Sequence, residues 1–168
     1  MKQIIYTFLV LAFISCKTDK IAYVDSEKLM DEYQEKADIE ERFKEKAASV
    51  NKKRDSLSQA FQLEYQSLQA NSKDWPQKKM EEELNLFQQK TQFVSQQIQQ
   101  EEQQLQAKGQ AEMDSLVVKI RNEIKAYGKN NAYTYIFTGG DGGSVLYGST
   151  DKDITDKIIT ILNDKYKK

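Results

Sequence analysis

The stretch KIAYVDSEKLM, Lys20–Met30, sets a strand's worth of residues directly in front of a helix start. Ile21, Tyr23 and Asp25 alternate with Ala22 and Val24, which is the period of a β-strand, and Ser26 stands where an N-cap would. A lone strand leaves its backbone donors and acceptors unpaired, so this one needs partners elsewhere. About a hundred residues of helical pattern follow it. The partners therefore lie beyond that pattern, and the middle of the chain must leave and come back.

From Glu27 to Ala70 the pattern is helical. Phe43, Val50 and Leu57 recur every seven residues, with Ala47, Arg54, Phe61 and Leu68 on the interleaved series. Such 4-3 spacing marks a coiled-coil seam, with Arg54 a polar interruption. NSKDWPQ, residues 71–77, then supplies the turn and cap formers Asn71, Ser72 and Asp74, and Pro76 suits the first turn of a new helix. In the second helix Met80, Leu84, Phe87, Thr91, Val94, Ile98, Glu101 and Leu105 keep the same rhythm. Gly109 and Met113 follow at steps of four, a stutter that relaxes supercoiling. Gly109 weakens a helix by about 1 kcal/mol relative to alanine, which makes it the expected flexible point. Helices of about 45 to 50 residues extend about 70 Å, and the short turn makes them antiparallel neighbours. The glutamine-rich QQIQQEEQQLQ, residues 96–106, is low in complexity, but the apolar rhythm within it indicates helix.

After Gly128 the period switches to two. AYTYIFT, residues 132–138, places Tyr133, Tyr135 and Phe137 on one face; GGDGG, residues 139–143, supplies a hairpin turn; SVLYGS, residues 144–149, reads as a further strand. DITDKIITILNDKYKK closes the chain as an amphipathic helix, with Asp153 placed to cap it and Asp156 to repeat a capping-box arrangement. Ile154, Ile158, Ile159, Ile161 and Leu162 form its apolar face. The fold class is α+β: a long antiparallel helical hairpin on a small β-sheet body with a C-terminal helix. The expected organisation is residues 1–15 as a signal peptide and 16–25 as tether and first body strand. Residues 26–128 then form the coiled-coil arm, and 129–168 the remaining body strands and closing helix. A body of about 50 residues is marginal without staples, so self-association is expected; support from the chain's own coiled coil is the alternative.

The 168 residues are 30% charged and 39% hydrophobic, a composition suited to long exposed helices. Net charge is −1, with 25 basic and 26 acidic residues, so the overall balance does not point to nucleic acid. The absence of histidine excludes histidine triads and histidine metal sites, and a single cysteine excludes an internal disulfide. MKQIIYTFLVLAFIS, residues 1–15, reads as a secretory signal, with Lys2 ahead of an apolar run from Ile4 to Ile14. That run is shorter than the roughly 20 apolar residues a membrane span needs; a short anchor is the alternative. FISC resembles a bacterial lipoprotein signal, in which a small residue, here Ser15, precedes a cysteine, here Cys16, that is acylated and becomes the mature N-terminus.

No catalytic constellation emerges, and no cofactor or metal is expected. DKDIT, Asp151–Thr155, matches a phosphatase string that needs a large α/β domain downstream, and barely a dozen residues follow. A calcium loop fails because Thr155 and Asp156 stand where a ligand and the turn glycine belong. GGDGG lacks the lysine and helix of a phosphate loop. Trp75, at the tip of the hairpin, is read as packing across the turn, with contact to a partner as the other use.

With their flanking elements, KIAYVDSEKLM and NAYTYIFTGGDGGSVLYGSTDKDITDKIITIL, residues 131–162, resemble the Skp/OmpH family of periplasmic chaperones over nearly the whole mature chain. The resemblance implies a homotrimer whose bodies form a β-barrel hub, with three arms around a cavity. It also implies a non-enzymatic, ATP-independent holdase that binds unfolded outer-membrane proteins. Family arms are typically basic, whereas EEEL and QEEQQ keep this one near neutral, and no lipopolysaccharide site is carried over. The expected location is the periplasm, with the membrane met only through a lipid on Cys16. A lipid-anchored coiled-coil scaffold of the envelope is the alternative function.

Overall fold

The computed structural model describes residues 19–167; Ser15, Cys16 and the whole of the expected signal peptide lie outside them. The chain divides into two compact units, one made of residues 34–118 and the other of residues 19–33 with 119–167. The long helix Gln77–Asn130 contributes to both.

In the second of these units, strand β1 (Ile21–Asp25) pairs in parallel with β2 (Tyr135–Gly139), from Ile21 opposite Tyr135 to Asp25 opposite Gly139. A parallel pair requires a long crossover, which is the role of the helices between them. The other side of β1 is met by the Asp153 segment, where the Ile154 amide donates to the Tyr23 carbonyl at 3.1 Å. The strand alternation works as the sequence indicates: Ala22 and Val24 are buried, while Ile21 is exposed. They pack with Leu29 of α1 (Ser26–Glu32), with Tyr33, and with Ile154, Ile158, Ile159 and Leu162 at and within α4 (Thr155–Tyr166) in one small core. Ile161 is only half-buried, at the margin of the apolar face.

Three local details differ from the sequence expectation. The N-cap of α1 is Asp25, not Ser26: its carboxylate accepts from the Lys28 amide at 3.0 Å, while the Ser26 hydroxyl donates to the Gly139 carbonyl. The first helix is also not continuous to Ala70. It breaks at Tyr33, which is fully buried in an extended conformation, its ring edge-on to Tyr166 at 6.5 Å. The Asn163 side chain donates to the freed Glu32 carbonyl at 3.1 Å, satisfying the helix end. Finally, Ser144–Ser149 does not join the sheet, which has two strands among the described residues. Only the Val145 amide makes a ladder-like bond, to the Thr138 carbonyl at 3.1 Å. A strand needs a run of such bonds along one edge, and this segment makes one ladder bond to β2, while its Gly148 carbonyl accepts from the Tyr23 hydroxyl at 3.3 Å instead.

The other unit is the helical hairpin. Helix α2 (Gln34–Asn71) has 38 residues, a 3-10 turn covers Ser72–Asp74, and α3 (Gln77–Asn130) has 54. The helices run antiparallel. As the number on α2 rises from Arg42 through Lys53 to Glu64, that of its ion-pair partner on α3 falls from Glu112 through Glu101 to Lys90. The seam holds Val50 and Ile98 buried, with Phe43, Leu57, Phe61, Leu68, Leu84, Phe87 and Val94 half-buried. Near the turn, Phe87 meets Phe61 edge-on at 6.2 Å and Tyr65 at 5.8 Å. Trp75 helps enclose a small cavity with Leu68, Met80 and Leu84 and lies under the Lys79 ammonium, so its use is packing at the turn. Helix α3 passes through Gly109 unbroken, with the Phe43 ring lying against it: a Cβ there would meet the ring at 3.4 Å, an ordinary contact distance.

The C-terminus of α3 is a Schellman motif. Tyr133 N donates to Gly128 O at 2.9 Å and Ala132 N to Lys129 O at 3.4 Å, with Ala132 left-handed at φ 54°.

Candidate functional site

The residues that could suggest chemistry are occupied by structural duties. Asp153 accepts from the Thr155 amide at 2.8 Å and from its hydroxyl, and Thr155 Oγ1 accepts from the Asp25 amide at 2.8 Å. Thr155 is the buried polar residue at the centre of this network, which joins β1 to the start of α4. Asp153 thus bonds the first residue of α4 but is not its N-cap, which is Ile154 with no side-chain cap bond, and Asp156 pairs with Lys28 at 2.6 Å. That hydrogen bond raises the Lys28 ammonium above its ordinary range. Asp151 accepts from the Ser149 hydroxyl, which holds its carboxyl below the usual range. Among the described residues no group of acidic or cysteine side chains could hold a metal ion.

GGDGG makes a turn in which Gly140 and Gly142 have positive φ and the Gly143 amide donates to the Gly140 carbonyl at 3.0 Å. A Cβ on Gly140 would lie 2.5 Å from Asp25 Oδ1. An anion on that side of Gly140 would meet the Asp25 carboxylate.

Two surfaces remain with chemistry to explain. The first belongs to the hairpin, whose two faces differ. On one face long cations cover the seam: Lys46 lies 5.2 Å from the Phe43 ring centroid, Lys90 lies 5.8 Å from that of Phe61, and Lys53 bonds Glu101 at 2.6 Å. On the other face the flanking residues are Asn51, Ser58, Ser95 and Gln99, too short or too flexible to close the seam. Two open clefts result. One, of about 410 Å³, has Phe43, Ala47, Val50, Leu105 and Gly109 for its floor; the next, of about 320 Å³, has Leu57, Phe61, Val94 and Ile98. Glu102 lines both and bonds Arg54 at 3.1 Å, forming a polar ridge between them. Leu63, Leu86 and Phe93, each about 60% exposed or more, add apolar surface to the same unit.

The second surface lies on the other unit, along the outer side of β2. Tyr135 and Phe137 stack at 5.8 Å, and both are exposed. Leu146 is 100% and Tyr147 90% exposed in the segment that failed to join the sheet. Large side chains left fully in water beside an open strand edge are unusual for an isolated domain. Sequence reasoning found Tyr135 and Phe137 from their alternation. It missed the clefts, whose signal was the short residues at 51, 58 and 95 beside lysines at 46, 53 and 90.

No helix among the described residues is long and apolar enough to cross a membrane. None of the curated proteins matches the sequence. Among solved structures, the fold is similar to that of a candidate outer membrane chaperone (OmpH-like) from Caulobacter crescentus CB15, with a TM-score of 0.77 and 16% identity. The match covers 88% of this chain and 86% of that one. The profile of the OmpH-like outer membrane protein family matches residues 20–162, which spans both units and every strand of the sheet. The chain therefore belongs to the OmpH-like outer membrane protein family.

Proposed function

We propose that the protein is an ATP-independent holdase of the periplasm that binds unfolded outer-membrane proteins and keeps them from aggregating. The observation that carries this reading is a family match across the whole helical hairpin, joined to a hairpin whose seam stays open to solvent along one face. A holdase must bind many sequences weakly, which favours shallow apolar grooves edged with amides over one shaped pocket. Several such contacts within a single assembly gain through effective concentration. The bodies associate as a trimer around a β-barrel hub, and the mature chain begins at an acylated Cys16 that ties it to a membrane. No enzymatic step belongs to this reading.

The test is light scattering from a transmembrane β-barrel protein diluted out of urea, with and without the chaperone. Protection at a few-fold molar excess is expected, with weak dependence on salt because the hairpin mixes both signs of charge. No protection from a chain shown to be folded by circular dichroism would sink the holdase reading and favour an envelope scaffold. For the anchor, the intact mass of membrane-extracted protein should correspond to a chain starting at lipidated Cys16. A mass matching cleavage elsewhere, or a bare cysteine, refutes that part.

A further inference from the structure

The two clefts on the open face of the hairpin are spaced to suit a short extended segment. Their floors centre near Ala47 and near Leu57–Ser58 on α2, about ten residues apart, which is about 15 Å at 1.5 Å per residue. An extended strand advances about 13 Å in four residues, and residues i and i+4 point to the same side. A helix covers only about 6 Å in that interval and would need about ten residues to reach from one cleft to the other. The ridge between the clefts is the Arg54–Glu102 ion pair, so the residue at i+2 meets charge. The edges are Asn51 and Gln106 at one cleft and Ser58, Ser95 and Gln99 at the other, groups that both donate and accept and can satisfy an extended backbone.

We propose that this face binds extended segments of client in which apolar side chains four residues apart enter the two clefts, with a small or polar residue between them over the Arg54–Glu102 ridge. This rests on the holdase reading and narrows its substrate class to strand-forming sequence with alternating pattern, the pattern of a transmembrane β-strand. The opposite face, where lysine stems and their ion pairs lie over the seam, takes no part.

The experiment fills the clefts. Ala47→Leu and Ser95→Leu together place side chains into one cleft each; apolar residues on a coiled-coil seam or its flank do not disrupt the helices. The control, Ser49→Leu with Ser56→Leu, adds the same two side chains at helix positions that line neither cleft. Each full-length protein is titrated against a urea-unfolded β-barrel protein carrying a fluorophore, after its helicity and oligomer mass are checked. The filled variant should bind at least about tenfold more weakly than wild type, and the control should match wild type. Equal binding by the filled variant overturns the cleft assignment while leaving the holdase reading intact. Equal loss in both variants also overturns it, since the effect would then not belong to the clefts. A changed oligomer mass on filling would overturn it by making the occupant a second copy of this chain. Failure of the wild type itself to hold the client would refute the parent reading instead.

Discussion

Thr155 shows how much of the body depends on one hydroxyl. It is 1% exposed, its Oγ1 accepts a hydrogen bond from the Asp25 amide at 2.8 Å, and its hydroxyl donates one to Asp153. Asp25 in turn caps α1, so the residue ties together a strand end and two helix starts that are 130 positions apart in sequence. Valine has nearly the same shape but cannot accept, which leaves the Asp25 amide unsatisfied beside the core. Such a loss costs about 1–3 kcal/mol, whereas serine keeps the bond and loses only a methyl group. Thr155→Val should therefore lower the urea midpoint clearly and Thr155→Ser by less. If valine proves as stable as threonine at matched protein concentration, the network is ornamental. The Lys28–Asp156 pair nearby is too exposed to carry comparable weight. Its sign is nevertheless defined: the raised Lys28 contributes in full below its unfolded range and the contribution is lost as pH rises through the folded value, so only its pH dependence is confined to alkali.

At the scale of elements, the end of α3 carries a strain that can be relieved. Ala132 occupies the left-handed position of the Schellman motif, where glycine has no Cβ to clash and alanine is disfavoured by about 1 kcal/mol. Ala132→Gly should stabilise the protein, by somewhat less than that because glycine is freer when unfolded. Chemical denaturation followed by far-ultraviolet circular dichroism reads the shift, and a destabilised variant would mean that the Ala132 methyl makes a compensating contact. The elements themselves were largely legible because period is a local property. The 4-3 rhythm of the hairpin and the alternation of Ile21–Asp25 and Tyr135–Gly139 needed no tertiary information. Tyr33 was illegible for the opposite reason. Leu29 and Tyr33 are four apart, as in an unbroken helix, and the break depends on Asn163 taking the Glu32 carbonyl from the far end of the chain. SVLYGS had strand propensity, but pairing along an edge decides a strand, and one chain offers it one ladder bond. Gly109 was read through helix propensity alone, which cannot see the Phe43 ring lying against it.

For the whole molecule, the open edge of β2 and segment 144–149, which joins no strand ladder, together bear on assembly. Tyr135 and Phe137 stand exposed on β2, and Leu146 and Tyr147 stand in water on a segment that already gives one amide to Thr138. These are two different surfaces of one chain. If the segment of one copy completes the edge of the next, the contact is head-to-tail, and such contacts must either close into a ring or run on into a filament. A closed ring removes every open edge and buries the four side chains, which fits the barrel hub of the proposed trimer; the number three itself comes from the resemblance to the Skp/OmpH chaperones. Size exclusion with light scattering on the chain from Lys17 onward should report about three times the chain mass. Leu146→Glu and Phe137→Glu should each break the ring, because an unpaired carboxylate in that interface costs several kcal/mol. The hairpin lies in a separate compact unit, so helicity should largely survive in the dissociated variants, which distinguishes lost assembly from lost folding. A wild-type protein that stays monomeric at every concentration would refute the trimer. An assembly indifferent to both substitutions would refute this edge as its interface, and the exposure of Leu146 and Tyr147 would then need another partner.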